Sequence, residues 1–513
     1  MRTKREDTRS RRERRRSCDA DGSFERLAST VGAAADAGAG RRTDRPASRV
    51  PSKARPGDRG ARAGAAEGPT WQGREMNTAI SCSSPSSRRL AAFALAICLA
   101  IAAGPAGAQE TRLLLDARRA PAVATEAPYA LQAFQVDVDT AALDAAPELL
   151  RIELPQAPGI TIARTDTERR GAGDLVWRGF VEGSEHRVTL TLKNGFAVGR
   201  IESPHGLYEL SPRAGLGTVL LRLDPDGFPE CSGEVEPLAP ADAAGPEPES
   251  VALGRDAAPP RGSRGTVNID LLSVYSPTVL GVVGTVPAME ATAQAAVDVA
   301  NTAHIDSDMV ARFTLVHTAL TDFDESGSSL SLDLSAVASN AAVASLRDQY
   351  GADMVGMIVS AGGCGIGFVM RNPGPGFASS AFQVSGLSCA VGNLTYAHEH
   401  GHNMGYEHDP ANSTTTPAGA SFSWSFGHFH NGSYRTVMSY SNQCVGGCNR
   451  VAHFSNPDVL HNGLATGIAG QRDNARTGDD TAAIVAAFRA PATDIFEDGF
   501  ETGDTSSWSS TTP

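Results

Sequence analysis

No apolar run in this chain is long enough to span a bilayer as a stable helix. The run at residues 90–103 has about 14 residues, whereas a membrane-spanning helix needs about 20. It follows a segment with two arginines and precedes small residues that end at Ala108, which is the arrangement of a secretory signal. We therefore expect residues 76–108 to be a cleaved signal peptide and the mature form to have no transmembrane span. Lipidation at Cys98 is the alternative, but the bulky residue before it disfavours it.

Residues 1–75 have few large apolar side chains and cannot form a core. This stretch has 19 Lys and Arg against 11 Asp and Glu, a basic balance that by itself suggests nucleic-acid binding. Because a signal peptide belongs at an N-terminus, we instead expect translation to start at Met76 and residues 1–75 to be a disordered, non-native extension. The whole chain has a formal net charge of −13, so the exported part is strongly acidic and a poor partner for nucleic acid.

Strand patterns dominate the segment 109–235. Its short β-branched or alternating runs include residues 148–152, 174–178, 187–192 and 196–201, and Asn194-Gly195 predicts a hairpin between the last two. A mainly antiparallel domain is expected. Residues 236–265 then have the Pro, Ala, Gly and acidic composition of a linker, with three arginines as candidate cleavage sites.

Strands and helices alternate from residue 266 onward. The pattern predicts a strand at 266–275, a helix at 287–304, a strand at 312–317, a helix at 335–350, a strand at 353–360 and helices at 393–404 and 479–489. Residues 266–490 are therefore expected to form an α/β (α+β) domain with a mixed sheet. Residues 491–513 have the composition of a flexible, acidic C-terminal tail.

The segment from His398 to Asp409 carries the chemistry. On a helix, His398 and His402 are four residues apart and share a face, so both can bind one metal ion, while Glu399 faces its open position. Gly405 can adopt the left-handed conformation that ends the helix and returns His408 as the third ligand. Three protein ligands leave one position for water, as in catalytic zinc sites. His400, on another face of the helix, is expected to be exposed.

This motif resembles that of the metzincin zinc endopeptidases. The segment Arg435-Thr-Val-Met-Ser-Tyr440 resembles their Met-turn, which implies that Met438 forms a hydrophobic floor below the metal. Asp409 resembles the reprolysin branch, where this acid anchors the turn, and Tyr440 resembles the astacin and serralysin branches, where it binds zinc or the tetrahedral intermediate. We identify residues 265–490 as similar to bacterial reprolysin-like M12 peptidases.

The resemblance implies one catalytic Zn²⁺, Glu399 as general base, and protein or peptide substrates lying along an edge strand near residues 366–369. It also implies that residues 109–235 are a pro-domain; a carbohydrate- or protein-binding module is the alternative. We expect a secreted monomer made as a latent precursor. The alternatives are a zinc hydrolase of non-peptide substrates and a catalytically silent binding protein, against which the intact Glu399 argues.

Five cysteines follow the signal peptide. In an oxidising compartment, Cys364 is expected to pair with Cys389, and Cys444 with Cys448. A Cys₄ zinc site is excluded because there is one close pair. Cys231 is left over, and the hypothesis is a cysteine switch that occupies the open zinc position of the precursor; the alternative is a free thiol without a role.

Some metal-binding side chain types are not needed by this assignment. Asp322, Asp324 and Glu325 are candidates for Ca²⁺, although a solvated acidic loop is the better interpretation. His428 and His430 are expected to be structural, because three ligands are already assigned.

Overall fold

Strands form the first half of the described chain, and strands alternate with helices in the second half. The structure is a computed structural model that describes residues 110–121, 123, 129–237, 265–360 and 362–492. The predicted N-terminal extension and signal peptide lie outside the described residues, as do most of the linker and nearly all of the C-terminal tail.

A ten-stranded sheet covers residues 111–223, where antiparallel strands are predicted. Its neighbours pair antiparallel except β1 with β4, and the strand order is β1-β4-β5-β6-β7-β8-β9-β10-β3-β2. The elements are β1 (Thr111–Arg112), β2 (Leu114–Arg119), β3 (Ala130–Val138), α1 (Thr140–Asp144), β4 (Leu149–Ile152), β5 (Ile160–Gly171), β6 (Asp174–Val181), β7 (Arg187–Lys193), β8 (Phe196–Ser203), β9 (Gly206–Arg213) and β10 (Gly217–Leu223). Asn194 and Gly195 join β7 to β8 at φ values of 54° and 79°, as the hairpin signal predicts.

A six-stranded mixed sheet forms the centre of the second half, in the order β11-β15-β16-β14-β12-β13. Its strands are β11 (Glu234–Val235), β12 (Val267–Tyr275), β13 (Ala311–Leu320), β14 (Met354–Val359), β15 (Gly365–Phe368) and β16 (Phe382–Gly386). Strand β15 runs antiparallel to β16, and β11 adds to it in parallel. The segment that precedes the linker therefore supplies an edge strand to this sheet.

Helices and small sheets surround the mixed sheet. The helices are α2 (Pro277–Val283), α3 (Val286–Asp306), α4 (Leu330–Ser339), α5 (Ala341–Gln349), a 3₁₀ turn (Pro375–Ser380), α6 (Leu387–Ala390), α7 (Thr395–Asn403) and α8 (Asn474–Val485). The short strands are β17 (Phe429–His430), β18 (Tyr434–Arg435), β19 (Asn449–Arg450), β20 (Leu460–His461) and β21 (Leu464–Ala465).

Two predicted helices have different bounds in the structure. The helix expected at 335–350 is two helices, because Asn340 has an extended backbone and its side chain caps the second one by accepting from Val343 N. The last helix begins at Asn474 instead of 479, because Asp473 caps it by accepting from Arg476 N. In both cases a local side-chain cap overrides the apolar period.

Helix α3 packs against the ten-stranded sheet and makes polar contacts with β5 and β7. Asp298, which is 1% exposed, accepts from both terminal nitrogens of Arg170 at 2.9 and 3.1 Å and from Thr191 Oγ1 at 2.7 Å. Arg187 pairs with Asp306 at 2.5 Å. Charged pairs at a buried contact fix the orientation of the two sheets, because a misplaced partner leaves an uncompensated charge.

Glu209 on β9 makes a second polar contact with the second half of the chain. We expect this contact to make the stability of the fold depend on pH. The carboxylate accepts from Gly392 N at 2.9 Å, and burial raises the pKa of Glu209 to about 7. The pKa of Glu209 is higher in the folded state than in the unfolded state, so its protonated form stabilises the fold. This contribution is fully present below about pH 4.5 and is lost as pH rises through about 7. The difference is on the order of 3 kcal/mol.

Chemical denaturation at pH 5 and pH 8 measures this effect. The wild type is expected to lose stability between these pH values relative to Glu209→Gln, which keeps an acceptor for Gly392 N and has no proton to lose. Equal changes in the two proteins would assign the pH dependence to other groups.

Candidate metal centre

Helix α7 presents two imidazoles on one face and ends where the third must return. His398 and His402 lie one turn apart on it. Gly405 follows the helix with φ of 88°, and a Cβ there would collide with Ser421 Oγ and lie 2.9 Å from Met370 O. A glycine is therefore required for the turn that brings His408 back.

The three Nε2 atoms converge at a spacing that fits zinc. His408 Nε2 lies 3.1 Å from Nε2 of both His398 and His402. Nitrogens bound tetrahedrally at 2.0–2.1 Å would be about 3.3 Å apart. The opposite ring nitrogens donate to carbonyl oxygens, His398 Nδ1 to Val437 O and His402 Nδ1 to Tyr406 O, each at 2.8 Å. These bonds aim both Nε2 lone pairs at the common point, so the residues present fit a zinc ion.

Cys231 lies opposite the three imidazoles. Its Sγ is 3.1 Å from His408 Nε2, and one ligand atom from each of Cys231, His398, His402 and His408 lies within 4.8 Å of the others. Burial acts to raise the pKa of the thiol, but the neighbouring His408 and His398 lower it well below its ordinary value. A thiolate and three imidazoles form a complete tetrahedral zinc ligand set.

Glu399 lies between the metal cluster and strand β15. Its carboxylate is fully buried, and neither oxygen has a hydrogen-bond partner among the described residues. Burial, together with repulsion from Cys231, raises the pKa of Glu399 well above its ordinary value. A Cβ on Gly365 would collide with Glu399 Oε1, so this edge-strand glycine makes room for the carboxylate.

The segment around Met438 lies beneath the cluster. Met438 is fully buried, and its Sδ lies 2.9 Å from where a Cβ on Gly401 would be, against the underside of α7. Asp409 accepts from Tyr440 N at 3.1 Å and from Asn412 Nδ2 at 2.8 and 3.0 Å. Asp409 therefore ties the turn after His408 to the segment that carries Tyr440. The Tyr440 Oη lies 2.8 Å from Cys231 Sγ.

Both predicted cysteine pairs are disulfide bonds in the structure. Cys364–Cys389 joins the start of β15 to α6, with 5.3 Å between the Cα atoms. Cys444–Cys448 closes the connection between β18 and β19. Cys231 is a free cysteine.

The expectation that His400 is exposed is wrong. His400 is fully buried, its ring meets Tyr396 edge-on at 4.7 Å, and its Nε2 lies 3.3 Å from Gln383 Nε2. Burial lowers its pKa to about 3. The reason is that α7 runs through the interior, with every one of its residues buried, so its second face meets the sheet instead of solvent.

The remaining candidates lie outside the cluster. Arg472 Nη1 donates to His428 Nδ1 at 3.2 Å, and His430 is exposed on β17. In the acidic loop, Asp324 accepts from Thr278, Glu325 accepts from Ser276, and Asp322 accepts from Asn340, so the three carboxylates face different partners.

Two glutamates that flank Cys231 are also held, and the sequence analysis did not single them out. Glu234 accepts from His408 N at 3.1 Å, from Thr414 N at 2.6 Å and from Arg371 Nη2 at 2.7 Å, and its Oε1 lies 3.0 Å from His408 Nδ1. Burial acts to raise its pKa, but the contacts with His408 lower it below its ordinary value. Glu230 binds Ser441, Arg435 and Arg450. The acidic flanks of Cys231 were the available signal.

Comparisons with known proteins find similarity in the part of the chain that carries the three histidines. Residues 290–409, which include the three histidines, match the family described as metallo-peptidase family M12B, reprolysin-like. The chain is 29% identical to a peptidyl-Asp metalloendopeptidase of Xanthomonas campestris pv. campestris over 77% of this chain and 97% of that protein. It is 26% identical to one of Stenotrophomonas maltophilia (strain R551-3), over 72% of this chain and 88% of that protein.

A third relative, from Pseudomonas aeruginosa, has the same name and is 31% identical over 38% of this chain and 36% of its own length. Among solved structures, metalloproteinase-II from Bacteroides fragilis matches at 11% identity with a TM-score of 0.31, over 51% of this chain and 81% of that one, which is too low to carry an argument. Within the described residues, no helix combines the length and apolar character needed to cross a membrane.

Proposed function

We propose that this chain, a metalloendopeptidase of the reprolysin-like family, is an exported zinc enzyme that hydrolyses peptide bonds at acidic residues and is made as a latent precursor. The observation that carries the proposal is the convergence of three buried imidazoles and one thiol on a single point, with an unpartnered carboxylate beside them. This arrangement favours a metal site, because buried polar groups such as the Glu399 carboxylate rarely lack a partner.

The chemistry divides between the metal and two side chains. His398, His402 and His408 would hold the zinc ion, which would supply a Lewis acid to polarise the peptide carbonyl and to make water more acidic. Glu399 accepts the proton of the attacking water and passes it to the leaving amine, for which its lack of other partners leaves both oxygens free. Tyr440 donates a hydrogen bond to the carbonyl oxygen as negative charge develops. Glu399 and Tyr440 thus act on the same peptide bond from beside the three histidines.

Latency follows from the way residues 230–236 lie across the cluster. Cys231 Sγ fills the position that water needs, and β11 pairs with edge strand β15, where an extended substrate would bind. Ser232 N donates to Gly365 O at 2.8 Å, and Val369 N donates to Val235 O at 2.9 Å, which extends this pairing on both sides. The ten-stranded sheet is the rest of this pro-domain, and its removal opens the cleft.

Export is supported by the signal-like segment 76–108 and by the disulfides. Both disulfides lie beside the active site, at residues 364–389 and 444–448, and disulfides persist in oxidising compartments. A preference for acidic residues is suggested by the name of the relatives, peptidyl-Asp metalloendopeptidase.

The proposal is tested by measuring peptide hydrolysis after the full-length precursor has been processed to remove its pro-domain. We expect cleavage of Asp-containing peptides that stops when a chelator removes zinc and returns when zinc is added back. Zinc binding without cleavage of any peptide would favour the alternative, a non-peptide hydrolase or a silent binding protein with the same site.

A further inference from the structure

The carboxylate of Glu230 is held by a set of donors that the metal centre does not use. Ser441 donates to Glu230 Oε1 from both its N and its Oγ, each at 2.6 Å. Glu230 Oε2 lies 3.4 Å from Arg450 Nη2 and 3.7 Å from Arg435 Nη1. The two arginine side chains are 5% and 2% exposed, so one carboxylate serves two buried guanidinium groups.

The fold places these two cations side by side. Arg435 and Arg450 are register partners in the parallel strands β18 and β19, and the disulfide Cys444–Cys448 closes the loop between these strands. Arg435 Nη1 donates to Ser439 O at 2.8 Å and Arg450 Nη1 to Asn393 O at 3.1 Å, while each Nε is buried without a partner among the described residues. Donors that the domain itself leaves unpaired favour an incoming acceptor.

Ser441, Arg435 and Arg450 form a pocket around the Glu230 carboxylate, and this pocket lies next to the candidate metal centre. Glu230 directly precedes Cys231, whose Sγ faces the imidazoles, and Ser441 directly follows Tyr440, whose Oη lies 2.8 Å from that sulfur. A cavity of about 110 Å³ continues from it, lined by Asn393, Arg435 and Arg450 on one side and by Ser203, Leu207 and Pro225 of the N-terminal segment on the other. Removal of that segment would open both the cavity and the pocket.

The contacts of Glu234 differ from those of Glu230, because the arginine that binds Glu234 has a second carboxylate partner. Arg371 pairs there with Glu234 and also with Glu407, at 2.8 Å. Glu407 belongs to the turn before His408, so Arg371 keeps a carboxylate partner after residues 230–236 leave. Arg435 and Arg450 lose the carboxylate that they share.

We infer that Arg435, Arg450 and the Ser441 N–H form the specificity pocket for the carboxylate of an acidic substrate residue beside the scissile bond, which Glu230 occupies in the precursor. The inference rests on the proposed peptidase function and adds the residues that select the substrate. An Asp side chain supplies one negative charge between the two guanidinium groups, whereas Asn supplies none and leaves both buried charges uncompensated. Charge-assisted bonds of this kind correspond to a preference of about 10- to 100-fold.

The test compares kcat/KM for two peptides, one with Asp and the other with Asn beside the cleaved bond. The enzyme is produced as the full-length precursor and then processed to remove its pro-domain. The wild type is expected to prefer the Asp peptide by about 10- to 100-fold. Arg450→Met is expected to bring the ratio close to one through slower cleavage of the Asp peptide, with the Asn peptide little changed. Arg450→Lys, which keeps a charge but not the fork of donors, is expected to retain part of the preference.

The matched control is Arg476→Met, which removes an arginine stacked over Trp424 at 3.6 Å and leaves the ratio unchanged. A wild type that cleaves both peptides equally, or an Arg450→Met ratio equal to that of the wild type, would overturn the pocket and leave the peptidase proposal standing. A zinc-loaded wild type that cleaves neither peptide would overturn the peptidase proposal itself.

Discussion

Replacing Glu399 by Gln is expected to reduce peptide hydrolysis by about 10²- to 10⁴-fold while the protein still binds one zinc ion. The amide has nearly the shape of the carboxylate, so the buried site between α7 and β15 is preserved. It cannot accept the proton of the attacking water, and none of the three zinc ligands is changed. The measurement is kcat/KM on a peptide substrate together with metal content.

Glu407→Gln is the control for this variant. Glu407 is also fully buried and lies in the same motif, but its carboxylate pairs with Arg371 instead of facing the cluster. It is expected to lose stability, because Arg371 loses a partner, and to keep hydrolysis. Full activity in a zinc-loaded Glu399→Gln variant would show that Glu399 is not the general base.

Replacing Cys231 by Ala is expected to make the unprocessed precursor about 100-fold more active than the unprocessed wild type. Zinc bound by four protein ligands in small domains is worth about 10–16 kcal/mol, or about 3 kcal/mol for each ligand. Loss of the thiolate opens the fourth position to water, although β11 still covers β15. Hydrolysis by the intact precursor, with its size checked before and after the assay, measures the effect.

Ser232→Ala tests whether the change is specific to the thiol. Ser232 is exposed and contacts β15 through its backbone N, so the variant keeps the pairing and is expected to stay latent. A Cys231→Ala precursor as inactive as the wild type would assign latency to the covering strand alone.

The local parts of the site could be predicted from the sequence. The spacing of His398 and His402 and the requirement for Gly405 follow from helix geometry and from backbone sterics, and they involve neighbours within ten residues. The hairpin at Asn194 is local in the same way. The burial of His400 could not be predicted, because it depends on which elements cover α7, and those elements come from distant parts of the chain.

The acid-binding contacts show the same limit more strongly. Glu230 meets Arg435 and Arg450 across more than 200 residues of sequence, and no periodic pattern links them. Their pairing follows from the parallel register of β18 and β19 and from the path of residues 230–236 over the cleft. The acidic residues around Cys231 are visible in the sequence, but their partners are defined only by the fold.

Zinc K-edge X-ray absorption of the metal-loaded precursor and of the processed protein identifies the atoms that bind the metal in each form. We expect three nitrogen ligands at about 2.0–2.1 Å and one sulfur at about 2.3 Å in the precursor. After processing, the sulfur is expected to be replaced by oxygen while the three nitrogens remain. A precursor spectrum without sulfur, or fewer than three histidine ligands in either form, would contradict this expectation.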